Sequence, residues 1–160
     1  MRILAIDPGY QESALVVYST VSRDVLEHFI LPNNEIIESF IPTFRSQLNC
    51  AAIEHIEGFG MAVGREVFET VWWSGRFYQS WLENEGGIAH RVTRKEVKLH
   101  LCGSVKATDS NIRQALLDKF AETNRQALGT KKIPGPLYGI KSHEWSALAI
   151  AVTLAETTLK

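Results

Sequence analysis

The chain has 160 residues, 45% hydrophobic and 22% charged, the balance of a soluble globular protein of one domain with a workable core. No apolar run is long enough to span a membrane. The formal net charge of −1 hides a split: residues 1–85 balance to −7, residues 86–141 to +7 and residues 142–160 to −1. A basic second half suits a polyanion, and an acidic first half suits cations.

Ile3, Leu4, Ala5 and Ile6 predict a buried central strand over about 2–7, cut off by Pro8-Gly9. With strand residues following Arg2 directly and no small-residue cleavage site, a secretory leader is not expected. Asp7 ends this strand. An unpaired carboxylate is expensive to bury, so Asp7 needs a cation or a donor beside it, unless it merely opens a turn. Two β-rich segments, about 12–19 and 24–31, follow and end at Pro32-Asn33-Asn34.

Asn33 or Asn34 is a candidate cap for a helix to about Gln47, with Ile36, Ile37, Phe40, Ile41 and Phe44 on one side and an interruption at Pro42. Cys50-Ala51-Ala52-Ile53-Glu54 repeats the form of the first strand, an apolar run closed by an acid. A long helix is predicted over about 64–84, with Val67, Val71, Trp72 and Tyr78 at helical spacing. Gly64 and Gly75 fall on one of its faces, where another backbone can approach. Ile88 to Val92 predicts a fifth strand. Helices over about 93–101 and 109–122 follow, the second capped by Thr108 or Asp109, with Ile112, Ala115, Leu116, Lys119 and Phe120 on one face. Residues 123–141 predict a loop, and a final helix runs from Ser142 to about Thr158. Cys50 and Cys102 lack metal-type spacing and are expected to be reduced packing residues in a cytoplasmic protein.

Two strands thus end in acids, Asp7 and Glu54. On adjacent parallel strands their carboxylates would stand side by side, each raising the pKa of the other unless a cation intervenes. A hard divalent ion such as Mg²⁺ prefers oxygen ligands, and His143 and Glu144 at the start of the last helix are placed to complete the set. Two metals held so suit phosphodiester hydrolysis, one activating water and the other stabilising the leaving oxygen. His143 is alternatively a general base.

Ala5-Ile6-Asp7-Pro8-Gly9, Ala52-Ile53-Glu54 and Ala147-Leu148-Ala149-Ile150-Ala151 together carry a resemblance. Ser74-Gly75-Arg76 and Arg94-Lys95-Glu96-Val97-Lys98 match more weakly. In this order, over nearly the whole chain, the sequence resembles RuvC-type Holliday junction resolvases, most closely their phage-type branch. The resemblance implies an α/β, ribonuclease H-like fold with a mixed five-stranded sheet flanked by helices. It implies a homodimer that nicks symmetric strands of branched DNA with Mg²⁺, for which Mn²⁺ substitutes. It also implies Asp7 and Glu54 as metal ligands and His143 as a third. Ser146 stands where the family has Asp, and a hydroxyl is a poorer Mg²⁺ ligand than a carboxylate. The missing acid is then supplied by Glu144 or by Asp109, or the chain binds junctions with its cutting weakened. Glu57 is read as a surface acid.

For DNA, Gly58-Phe59-Gly60 lets Phe59 project beside the metals and stack on bases, as an aromatic of the family does in this region. Arg65, Arg76, Arg94, Lys95, Lys98 and Lys106 are candidate phosphate contacts. Lys106 resembles the family's basic residue near the scissile phosphate and joins the catalytic candidates. Lys131-Lys132 lies in a loop able to track the backbone. The chain is too short, and has too few glycine-rich phosphate loops, for an actin-like ATPase or sugar kinase.

Overall fold

Side-chain alternation along the first strand decides the layering. In the computed structural model, which describes residues 1–58, 60, 62–84 and 87–159, β1 (Arg2–Asp7), β2 (Glu12–Ser19) and β3 (Asp24–Pro32) form an antiparallel meander. β4 (Cys50–His55) pairs in parallel with the other side of β1, and β5 (Ile88–Thr93) pairs in parallel with β4. The order is β3-β2-β1-β4-β5, a mixed five-stranded sheet with helices on both faces, ribonuclease H-like as expected. Because successive side chains point to opposite faces, Ile3 and Ala5 enter one core and Leu4 and Ile6 the other. A strand buried on both faces reads as a continuous apolar run, which is why β1 does.

The second core lies under a helical stretch over 33–47 and under α3 (Arg65–Glu83). The stretch consists of α1 (Asn33–Glu35), a π-helical turn (Ile36–Phe40), α2 (Ile41–Phe44) and a 3-10 turn (Arg45–Gln47). The interruption expected at Pro42 takes the form of this change of helical pitch, not a break. Neither Asn33 nor Asn34 caps it: the N-cap is Pro32, and the buried Asn33 side chain is used elsewhere.

The first core lies under α4 (Arg94–Cys102), α5 (Asp109–Phe120), α6 (Asn124–Leu128) and α7 (Glu144–Thr157). α4 and α5 start at capping boxes, Thr93 with Glu96 and Thr108 with Asn111, so Thr108 rather than Asp109 is the cap. A third box, Thr123 with Gln126, starts α6 inside the segment expected to be a loop. The buried face of α5 is Ile112, Leu116 and Leu117, while Lys119 turns outward to Glu156.

α3 faces differently from the sequence expectation. Its buried stripe is Trp73, Phe77, Ser80 and Trp81, whereas Val67, Phe68, Val71 and Trp72 are exposed. The inward stripe is the more aromatic one, and Trp81 adds an indole N–H bond to the Ile88 carbonyl at 2.9 Å. Gly64 is the N-cap rather than a helical residue, and a Cβ on Gly64 or Gly75 would meet nothing among the described residues, so neither serves a close approach to them. Among the described residues no helix is long and apolar enough to cross a membrane. Cys50 is buried and Cys102 half-buried, both as free thiols.

Candidate metal centre and nucleic-acid interface

Register and pleat bring the two acids together. Ile6 of β1 pairs with Ile53 of β4, so the next residues, Asp7 and Glu54, are neighbours across strands about 4.8 Å apart. Asp7 continues the face of Ile3 and Ala5; Glu54 continues that of Cys50 and Ala52, and both faces look toward α7. Asp7 is buried and Glu54 half-buried. The backbone at Glu54 is tied down by Ser74 of α3, whose hydroxyl donates to the Glu54 carbonyl at 2.8 Å. The turn after Asp7 is held by a buried network. The Gly9 N–H donates to Ser13 Oγ (3.0 Å), Ser13 Oγ donates to Asn33 Oδ1 (2.6 Å), and Asn33 Nδ2 donates to the Gly9 carbonyl (2.9 Å). A Cβ at Gly9 would run into the Glu12 carbonyl oxygen, so the turn requires glycine.

His143, just before α7, places Nδ1 3.0 Å from Asp7 Oδ2. That hydrogen bond raises the imidazole pKa above its usual value, against the opposing effect of burial. Glu54 is pushed up to about 8, first by burial, then by a hydrogen bond with Asp7 and by the Asp7 charge. Two neighbouring carboxylates thus stand where a divalent cation would serve both, and His143 borders the same cleft of about 680 Å³. The donor chemistry fits a hard divalent ion. Among the described residues, no three His, Cys, Asp or Glu side chains already stand in a coordinating arrangement. The site is a pair of neighbouring carboxylates with His143 hydrogen-bonded to Asp7, not a closed coordination shell.

The two candidates for the missing acid go elsewhere. Glu144 is buried, with Oε1 3.0 Å from His28 Nδ1 on β3 and Oε2 accepting the Lys141 N–H at 2.9 Å. It braces the start of α7 instead of facing Asp7. Asp109 is exposed and ion-paired with Arg94. Arg94 also donates from Nη1 to Ser146 Oγ at 3.3 Å, and its charge acts on both Glu54 and His143. A cation therefore stands where an acid was sought.

The other candidates are dispersed. Lys106 borders a separate hollow with Ser104, Asn111 and Asp118, and does not line the cleft that holds Asp7 and Glu54. That placement gives no support to a catalytic part for it. Arg76 stacks on Trp72 and Trp73, 4.8 and 4.3 Å from the ring centres. Arg65 is exposed, 3.7 Å from Glu69. Lys95 is exposed and Lys98 half-buried on α4. Phe59 lies outside the described residues. Lys131-Lys132 sits in a tight turn closed by hydrogen bonds in both directions between Thr130 and Ile133.

Sequence reasoning missed Arg113 and Lys141. With Arg94, His143, Trp145 and Ser146 they line a second cleft, of about 580 Å³, that meets the first at His143. Arg113 lies over Trp145, 4.9 Å from its ring centre. Arg113 follows Asp109 by one helical turn, and Lys141 precedes His143 by two residues. Those spacings were the available signals.

No protein-family model matches the sequence, and no curated protein matches it. Solved structures do. Thermus thermophilus RuvC aligns over 97% of this chain and 93% of its own, at 20% identity and a TM-score of 0.69. T. thermophilus RuvC in complex with Holliday junction substrate aligns with the same coverage and TM-score at 21% identity. The fold of this chain is therefore the one that those RuvC structures share.

Proposed function

We propose that the chain is a divalent-metal-dependent endonuclease that resolves four-way DNA junctions by paired nicks. The reading is carried by one observation: Asp7 and Glu54 side by side on the α7 face of a RuvC-like sheet, with His143 hydrogen-bonded to Asp7. Asp7, Glu54 and His143 would hold the metal. Once bound, Mg²⁺ or Mn²⁺ would polarise the phosphate and lower the pKa of a water. The chain's own contribution is placement. The Gly9–Ser13–Asn33 network fixes the Asp7 turn, Ser74 fixes the Glu54 strand end, and Glu144 braces the helix behind His143. Arg94, Arg113 and Lys141 supply positive charge along the adjoining cleft, suited to a sugar-phosphate backbone.

Paired nicks need two sites. The exposed stripe Val67, Phe68, Val71 and Trp72 on α3 is apolar surface that a second copy of the chain would cover, which supports a homodimer. The same reading sets the protein in the cytoplasm of a bacterial or phage-infected cell. The phage-type branch rests on the sequence motifs, since the matched structures are bacterial.

The test is incubation with a synthetic four-way junction and with a linear duplex of the same sequence, with and without Mg²⁺. Paired nicks in the junction alone, only with Mg²⁺, are expected. Equal cutting of the linear duplex overturns junction selectivity. A stable shifted band without nicks identifies a junction binder and overturns the enzyme.

A further inference from the structure

Charge alone does not account for the second cleft. Arg94, Arg113 and Lys141 make it basic, but Ile112 and Ile140, both buried, also line it, and so does the half-buried Trp145. A sugar-phosphate backbone needs cations and N–H donors and gains nothing from an apolar lining. A nucleobase does gain from one, because its flat face stacks on aromatic rings. The cleft, about 580 Å³, is of the size that takes a small organic group such as one nucleotide.

The three basic residues are not equivalent. Arg94 is committed to Asp109. Arg113, on α5, and Lys141, ahead of α7, are exposed, and among the described residues neither has an acidic partner. The Arg113 guanidinium lies over the Trp145 ring, 4.9 Å from its centre. A guanidinium held on an indole keeps an outer face on which a base can stack and N–H groups that a phosphate can accept. Lys141 starts from a fixed point: its N–H donates to Glu144 Oε2 at 2.9 Å, and Ser142 after it takes the left-handed backbone, with φ 47°. Both clefts share His143, so a nucleotide in the second adjoins the centre of Asp7 and Glu54.

We propose that the second cleft is a base-stacking subsite that takes one unstacked nucleotide beside the scissile phosphate, its base layered on Arg113 over Trp145 and its phosphate on Lys141. The inference rests on the nuclease reading above, which puts the scissile phosphate at Asp7 and Glu54. Inside a duplex the base faces are stacked on one another and only the edges are offered. Taking a base out of the stack costs least where pairing is already interrupted. The subsite therefore favours a branch point over continuous duplex without reading its sequence.

The test separates base from phosphate. A short oligothymidylate and an abasic strand of the same length carry equal charge and differ only in their bases. Each is titrated against the whole protein without metal ion. Wild type should prefer the oligothymidylate on the order of 10-fold. Arg113→Lys, at an exposed position, keeps the charge and loses the planar group. Its preference should fall at least about 3-fold while the salt dependence for the abasic strand stays the same. No preference in wild type, or a smaller fall in Arg113→Lys, overturns the subsite. Nicking is then measured on four-way junctions with one abasic nucleotide moved stepwise along the cut strand. Wild type should slow on the order of 10-fold at one position beside the nick, and Arg113→Lys should lose that slowing. Equal wild-type rates at every position, or slowing that persists in Arg113→Lys, overturn its part in the reaction. A wild-type protein that keeps the oligothymidylate preference but never nicks a junction overturns the nuclease reading, while base stacking in this cleft stands.

Discussion

Asp7 and Glu54 differ in what surrounds them, and that difference predicts how each responds to change. Glu54 carries the raised pKa, so its carboxylate is ionised at neutral pH only at a cost that a cation removes. Glu54→Gln keeps the shape and removes the charge. It is expected to lower Mg²⁺-dependent nicking on the order of 100-fold or more while leaving junction affinity within about 3-fold, since a metal contributes several kcal/mol to such a step. Rates and gel-shift titrations on one preparation check both halves. Asn33 hydrogen-bonds to Ser13 and Gly9, not to the acids, and so closes the turn that presents Asp7. Asn33→Ala leaves the Ser13 hydroxyl and the Gly9 carbonyl short of partners in a buried place. A loss of about 1–3 kcal/mol in denaturant unfolding is expected.

Among the elements, α7 is the hub. It packs against the sheet, carries His143 at its entrance, and at its far end presents Glu156 to α4 and α5. Glu156 accepts from Lys119 Nζ at 2.8 Å and lies 2.6 Å from His100 Nε2. Burial would raise its pKa, but the hydrogen bonds from Lys119 and His100 and the Lys119 charge outweigh it and hold Glu156 below the usual carboxylate range. A depressed folded value means that the contribution to stability is present above the unfolded pKa and is lost as pH falls through the folded one. Glu156→Gln should therefore melt lower than wild type at neutral pH, by no more than about 1 kcal/mol for so exposed a cluster. The two melting curves should converge once the pH drops below the ordinary carboxylate range.

For the whole molecule, the asymmetry of α3 matters most. Its inner stripe, Trp73, Phe77 and Trp81, fills the core, and its outer stripe leaves Trp72 55% exposed beside Phe68 at 65%. Arg76 covers part of the Trp72 ring, yet the patch remains large and apolar. A charge there would be harmless to a monomer and costly in a homodimer. Trp72→Glu is expected to leave the thermal melt nearly unchanged while shifting sedimentation from dimer to monomer. A wild-type protein that sediments as a monomer at all working concentrations removes this interface.

Legibility followed the range of the interactions. The five strands, the acids Asp7 and Glu54 at the ends of two of them, the long helix and the α4 and α5 helices are visible in local periodicity, because apolar spacing and turn residues act within a few positions. The α6 helix hid in a Gly- and Pro-rich stretch, where only the short Thr123–Gln126 box marked it. Pleat parity could even be read forward from Ile3 to Asp7 and from Cys50 to Glu54. What the chain alone did not determine is where the polar side chains find partners. Glu144 turns to His28, 116 positions away, and Arg94 turns to Ser146, 52 positions away. A carboxylate one residue from His143 looks like a ligand in sequence and is a brace in space, because the helix start points successive side chains in different directions. Only the packing of β3, α4 and α5 around α7 decides which charges meet.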